Sequence, residues 1–398
     1  MLRRALSVYV HWPYCEQKCT YCAFNKYVDP NADVERMLRS LAADLAHSLR
    51  DYTRAWNGTT AVRSVFFGGG TPSLAPPELV SATLDTIRQH AQIETEMEVT
   101  LEANPRNVNA DSLGRWIEAG VNRISLGIQS TNDSVLRKMG RDHTADMART
   151  ALELCRLQLP RHRVSVDVIY GRPGQTVAEW ESELGEIAAL NRGGHISAYQ
   201  LTVERGTQLF RDVNKSAPAV AMPSEETMAD FYHATNRVLR DNGFVNHYEV
   251  SNYGSSTEAE CRHNTAYWRG GDYIGVGPGA HGVVTLPEGR KRVYRIASPA
   301  AWMAQCEQLD HGISKERDVP QDDTLRELIM LGLRTAKGID KTTFAQFNEQ
   351  EWRRFVDIER VKALADAGYV ESDEAVSFIR PTEQGMAVAD RLAVDAIV

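Results

Sequence analysis

The chain has no run of 18 apolar residues, which excludes a bilayer-spanning helix. It has no excess of basic charge. Its 45 Lys and Arg are outnumbered by 53 Asp and Glu, for a formal net charge of −8. That balance lacks the electrostatic signature of a nucleic-acid binder. No internal repeat or low-complexity tract is present, so solenoids and long linkers are out. Cysteine is scarce, with six in 398 residues, too few for a disulfide scaffold. With 42% hydrophobic and 25% charged residues the chain is neither disordered nor fibrous. The apolar stretch Leu6 to Val10, behind Arg3 and Arg4, is too short for a signal-peptide core. The two arginines admit a reading as the remnant of a mitochondrial address.

What is present is a rhythm. Strand-like runs at Leu6–His11, Ser64–Phe67, Glu98–Glu102, Arg123–Ile128, Val164–Ile169 and His195–Leu201 alternate with helical stretches. Asp33–Asp51, Pro77–His90, Thr144–Leu157 and Val177–Leu190 carry the helical period. Six such units predict an α/β fold: a parallel sheet with helices outside, curled into a partial (β/α)6 TIM-like barrel over residues 1–240. Five strand ends run into loops of unusual composition, and in a parallel barrel those ends meet on one rim. Residues 241–315, rich in Gly, Tyr, His and Asn, read as strands and loops that close the open side. Residues 316–398 read as a small helical, winged-helix-like domain. Its helices are Thr324–Thr335, Trp352–Ala367 and Glu383–Val394, and its strands Tyr369–Glu371 and Val376–Ile379. That domain carries no basic cluster, so no nucleic-acid partner is expected.

The scarce cysteines are not scattered. Cys15, Cys19 and Cys22 fall within eight residues, while Cys155, Cys261 and Cys306 stand alone. Such a cluster arises by chance in about one chain in a thousand. Structural zinc would need a fourth ligand, for which His11 is the nearest candidate. A Cys19–Cys22 redox pair would leave Cys15 unexplained. Three thiolates on a [4Fe–4S] cluster leave one iron open to a further ligand. Trp12, Tyr14, Tyr21 and Phe24 would then shield the cluster. Cys155 and Cys306 read as buried thiols.

Cys-x3-Cys-x2-Cys after a first strand resembles the signature of radical S-adenosylmethionine (SAM) enzymes. Tyr9-Val-His-Trp-Pro-Tyr-Cys15, Phe66-Phe-Gly-Gly-Gly-Thr-Pro-Ser73, Leu101-Glu-Ala-Asn-Pro105, Gly120 to Gln129, Gly140-Arg141, Tyr199-Gln-Leu201 and His263-Asn-Thr-Ala-Tyr-Trp268 extend the likeness along nearly the whole chain. Together they resemble the HemW-type haem chaperones, relatives of oxygen-independent coproporphyrinogen III dehydrogenase. The resemblance implies a radical SAM barrel with a C-terminal domain of the HemN type. It implies that Cys15, Cys19 and Cys22 hold a [4Fe–4S] cluster whose fourth iron binds SAM. It further implies SAM contacts from Tyr9, Tyr21, Gly68, Gly69, Gly70, Thr71, Glu102, Gln129, Arg141 and Asp167. Read without it, Gly68–Gly70 is equally a tight turn. Glu102, Gln129 and Asp167 are then rim hydrogen-bonders, and Arg141 a surface arginine.

Within the family two functions compete. The dehydrogenases place a fourth cysteine where this chain has Phe24, and carry an N-terminal extension ahead of a cluster motif that here begins at residue 15. Both departures favour a haem chaperone without dehydrogenase activity; oxidative decarboxylation of coproporphyrinogen III is the alternative. The resemblance implies haem binding near His263, with Cys261 a second candidate ligand and Tyr267 and Trp268 beside the macrocycle. His281 is expected near SAM or in a structural role. The implied partners are haem and haem-accepting respiratory proteins. No electron donor is named, and peripheral membrane association is left open. Cys22-Ala-Phe-Asn-Lys-Tyr-Val28 resembles the animal mitochondrial form, so a mitochondrial, matrix-side location is expected, with cytoplasm as the alternative.

Overall fold

The computed structural model describes residues 4–215, 220–342 and 349–396. Residues 1–3 of the N-terminal stretch, Arg3 included, lie outside the described residues. Six strands run parallel in chain order: β1 (Arg4–Trp12), β2 (Thr60–Gly69), β3 (Gln92–Ala103), β4 (Arg123–Gln129), β5 (Val164–Tyr170) and β6 (His195–Gln200). The connecting helices form for local reasons. Helix Val34–Ala55 starts where the Asp33 carboxylate accepts the Arg36 N–H. It buries Met37, Leu41, Leu45, Leu49 and Tyr52, a stripe at helical spacing. Helix Val177–Leu190 opens with a reciprocal Thr176–Glu179 capping box and buries Trp180, Leu184, Ile187 and Ala188. Helix Ala110–Ala119 stops at Gly120, which takes φ +116°.

The two faces of the parallel strands differ. Leu6, Val8, Val10, Val65, Phe67, Val99, Leu101, Ile124, Leu126, Val164, Val166 and Val168 belong to the apolar core shared with the helices. The alternate positions form a polar concave face. Ser64 donates to Ser7, Ser125 donates to Asp167, and Ser165 pairs with His195. Glu98, Thr100 and Glu102 share that face along β3 by the two-residue strand period.

Residues 241–315 do more than close one side. β7 (Asn246–Glu249) and β8 (Asn252–Gly254) extend the β6 edge. β9 (Asp272–Val276) pairs in parallel with β1, and β10 (His281–Leu286), β11 (Gly289–Arg295) and β12 (Ile313–Val319) continue antiparallel beyond it. The result is one 12-stranded open sheet with β12 and β7 at its ends. Cys261–Trp268, expected among strands and loops, instead forms helix Arg262–Trp268, with His263 and Ala266 buried three apart.

The C-terminal region adds β13 (Ile339–Asp340), β14 (Val370–Glu371) and β15 (Phe378–Pro381), in the order β13-β15-β14. The helix expected over Trp352–Ala367 is two, Glu349–Phe355 and Ile358–Asp366. Asp357 leaves the helical conformation and caps the second by accepting the Arg360 N–H. The helix expected over Glu383–Val394 likewise divides into Glu383–Met386 and Ala389–Ala396. The last strand begins two residues later than expected, since Val376 occupies a turn at φ +47°. One apolar cluster spans Leu6 to Cys306 and a second spans Leu325 to Ala396. The second region is tied to the first by the Val250 N–H to the Arg334 carbonyl, the Ala336 N–H to the Tyr248 carbonyl, and an Arg334–Glu249 ion pair.

Candidate functional site

The chain leaves β1 through Pro13 and returns at Tyr27, making a loop that carries three thiols. Backbone bonds close it: the Cys15 N–H to the Tyr27 carbonyl (2.9 Å) and the Tyr27 N–H to the Pro13 carbonyl (2.8 Å). Asn25 fastens its far side by donating to the Pro278 and Ala297 carbonyls. His11 donates from Nε2 to the Asn25 carbonyl (2.8 Å), because a carbonyl can only accept. Its Nδ1 therefore accepts the Tyr9 hydroxyl (3.0 Å). With both nitrogens engaged, His11 is not free to complete a zinc site.

The β2 loop crosses this loop at close quarters. The Gly70 N–H donates to the Trp12 carbonyl and the Thr71 N–H to the Tyr14 carbonyl. A Cβ on Gly70 would stand 2.7 Å from the Tyr14 oxygen, so only glycine permits the crossing. The Thr71 hydroxyl donates to the Cys15 sulfur (3.3 Å). On the other side, Arg141 reaches over Gly127, donating to its carbonyl (2.8 Å) and to the Cys19 sulfur (3.5 Å). The Arg141 Nε is buried and has no partner among the described residues. Gln129 sits at φ +66° where the β4–β5 register slips, a bulge that re-aims its side chain. Such a conformation costs about 1–3 kcal/mol in a residue other than glycine, and is stored where the fold over-determines it.

These groups surround one cavity of about 560 Å³. Cys15, Cys19, Cys22, Tyr21, Gly69, Gly70, Thr71, Glu102, Gln129, Arg141 and Asp167 all line it. Thiols, a spare guanidinium N–H and a side-chain-free glycine rim suit a thiolate-held cluster beside an amino-acid ligand. Burial raises the Cys15 thiol pKa, and the Thr71 hydrogen bond opposes that rise. Two expected contacts lie elsewhere: Tyr9 faces a second cavity, and Gly68 lies against Tyr9, Phe66 and Glu102. Trp12 and Tyr14, expected as shields, pack edge to face in the core, while Tyr21 and Phe24 do line the cavity. The reading from sequence missed Ser125, Asn104 and Asp142. Ser125 donates to both Asp167 oxygens, and the Asn104 amide donates to Asp142 (2.7 Å). Asn104 stands inside the Leu101–Pro105 motif, which was the available signal.

Burial first, and Asp167 second, push the Glu102 carboxyl up from 4.5 to about 8. The folded protein then holds a proton that the unfolded chain releases. Stability therefore falls as pH rises from about 4.5 to about 8. Glu102→Gln is expected to flatten that slope in thermal unfolding followed across the window. Asp167, raised by burial in the same direction, keeps a residual slope. An unchanged slope in the variant would contradict the assignment.

The second cavity, also about 560 Å³, shares Phe24, Gly69, Glu102 and Tyr199 with the first. His263, Asn264 and Tyr267 line it. Cys261 does not reach it: its thiol is buried and donates to Glu98 (3.6 Å). Trp268 instead lines a small pocket against the C-terminal region. His281 is at the mouth of the second cavity rather than in the first. Cys155 and Cys306 are buried, as expected.

The Radical SAM superfamily model matches residues 9–186, and the HemN C-terminal domain model matches residues 319–388. The mitochondrial radical S-adenosyl methionine domain-containing protein 1 of Bos taurus is 40% identical over 396 residues, 97% of this chain and 86% of the relative. The heme chaperone HemW of Escherichia coli is 34% identical over 348 residues, 86% of each chain. Coproporphyrinogen III oxidase HemN of Escherichia coli superposes with a TM-score of 0.78 at 21% identity, covering 99% of this chain and 90% of that one, and so shares the fold. Membership of this superfamily implies a [4Fe–4S] cluster and SAM. Thiols, glycine rim and chain-long identity lead to one conclusion: the chain belongs to the radical SAM superfamily, in the family of HemW-type haem chaperones and their mitochondrial relatives.

Proposed function

We propose that the chain is a haem chaperone that binds haem beside a SAM-ligated [4Fe–4S] cluster and passes it to respiratory haem proteins. The observation that carries this reading is the aromatic-lined cavity adjoining the cysteine cavity, with Phe24 at their junction. A cysteine at that position would supply another sulfur; Phe24, 68% exposed, supplies a flat apolar face instead. Relatives named as haem chaperones and as mitochondrial proteins support the cargo and a mitochondrial location ahead of a cytoplasmic one.

Cys15, Cys19 and Cys22 would hold the cluster, which when bound supplies one-electron chemistry next to SAM. The chain's own residues fix the ligand. Gly69, Gly70 and Thr71 let it approach the backbone, and Arg141 offers its free N–H to a carboxylate. Glu102 and Asp167, held largely protonated or hydrogen-bonded by their surroundings, suit ribose hydroxyls. Tyr21 and Phe24 stand in the cavity wall with the three cysteines.

The test is a hemin titration of anaerobically reconstituted protein, with coproporphyrinogen III supplied in a parallel assay. Saturable hemin binding without porphyrinogen turnover is expected. Formation of protoporphyrinogen IX would make the chain a dehydrogenase, and absence of hemin binding would remove the chaperone reading.

A further inference from the structure

Three histidines line the second cavity: His11, His263 and His281. Coordination of an iron by imidazole needs a ring nitrogen whose lone pair is free. His11 has none, as its Nε2 donates to Asn25 and its Nδ1 accepts from Tyr9. His263 is in the same position. Its Nδ1 meets Ser64, whose own proton goes to Ser7, so Nδ1 carries the hydrogen and donates (3.0 Å). Its Nε2 is left to accept the Tyr267 hydroxyl at 2.6 Å. The ring is also almost wholly buried and stacks on Phe66. Ligation through His263 would cost both the Tyr267 bond and the burial.

His281 differs in each respect. It is exposed at the cavity mouth, and its ring nitrogens make no hydrogen bond among the described residues. Its ring packs edge-on against Tyr294, at 4.7 Å between centroids. Its backbone is nonetheless fixed. A Cβ on Gly275 would lie 1.9 Å from the His281 carbonyl oxygen, and one on Gly277 would lie 2.4 Å from that of His11. The glycines thus let β9 and the turn after it press against both β10 and β1, placing a free imidazole on a rigid mount. The walls suit a flat macrocycle: Tyr9, Phe24, Phe66, Tyr199, Tyr267 and Tyr273 line the cavity. Arg290 lines it too; one terminal nitrogen donates to the Gly270 carbonyl and faces Asp272, while its Nε is buried with no partner among the described residues, a donor suited to a propionate.

We propose that His281, not His263, is the axial ligand to haem iron, and that His263 is a positioning residue that braces the cavity wall through Ser64 and Tyr267. The assignment rests on the haem-binding reading above and names the atom set that would carry it.

The experiment is a hemin titration of the reconstituted full chain, read by the Soret band and by magnetic circular dichroism. In H281A the hemin dissociation constant is expected to rise on the order of tenfold or more, with loss of the nitrogen-ligand signature. In H281G, added imidazole is expected to restore the wild-type band. H263Q keeps one donor and one acceptor at the site, and is expected to retain the nitrogen-ligand signature. A wild-type spectrum in H281A overturns the proposal. So does loss of the signature in H263Q with circular dichroism showing the fold intact. If the unsubstituted chain binds no hemin, the functional reading fails first, and that result is distinct from either.

Discussion

Serine in place of Cys15, Cys19 or Cys22 is expected to strip the purified protein of iron and acid-labile sulfide while leaving its far-ultraviolet circular dichroism unchanged. The loop carrying the thiols is closed by backbone bonds at Cys15, Tyr27 and Pro13 and by the Asn25 side chain, none of which uses sulfur. Serine is close to isosteric, so the fold survives the change. The thiolates are another matter. Three of them must serve a four-iron cluster whose last iron is reserved for SAM, so no spare protein ligand covers a loss. Burial raises the Cys15 pKa, so loading the site must displace a proton from it. Replacement of Cys155 or Cys306, both buried away from the cavity, should leave iron content at the wild-type level. Iron and sulfide retained in all three single variants would exclude the cluster assignment.

Much of this was legible in sequence, for identifiable reasons. The six parallel strands were readable because each presents an apolar outer face to a helix whose own stripe repeats at i and i+4, as in Met37, Leu41, Leu45 and Leu49. The cysteine cavity was readable because its residues sit in short contiguous motifs at strand ends, which the parallel topology gathers on one rim. The second cavity was not. Phe24, Tyr199, His263 and His281 come from four separated segments, and their meeting depends on β9 adding to β1 in parallel. β7 and β8 are only four and three residues long, below the length at which alternation identifies a strand or its edge. The hydrogen bonds of His263 were equally hidden, since Ser64 and Tyr267 reach it from a distant strand and from one helical turn away. A histidine in a motif declares its chemistry only once its partners are known.

The largest loss of stability is expected from Glu98→Ala. Glu98 points to the same inner face as Glu102, four residues deeper in the barrel, and is fully buried. Its carboxylate accepts the Arg262 and His263 N–H groups, both at 3.2 Å, at the opening turn of helix Arg262–Trp268. It also takes the Cys261 thiol (3.6 Å) and stands 3.4 Å from the Arg163 guanidinium and 3.9 Å from that of Arg123. Alanine would leave Arg123, only 2% exposed, buried without its ion-pair partner. Removing one partner of such a pair costs about 3–5 kcal/mol, and the two helix N–H groups lose their acceptor as well. Glu98→Gln is expected to cost less, since an amide oxygen can still accept one N–H. Urea unfolding should rank wild type above glutamine above alanine. Amide exchange at Arg262 and His263 should accelerate in both variants. A Glu98→Ala protein that unfolds at the wild-type urea concentration would show that the helix is held by its packing alone. In that case the wall of the second cavity, including His263 and Tyr267, does not depend on this buried charge.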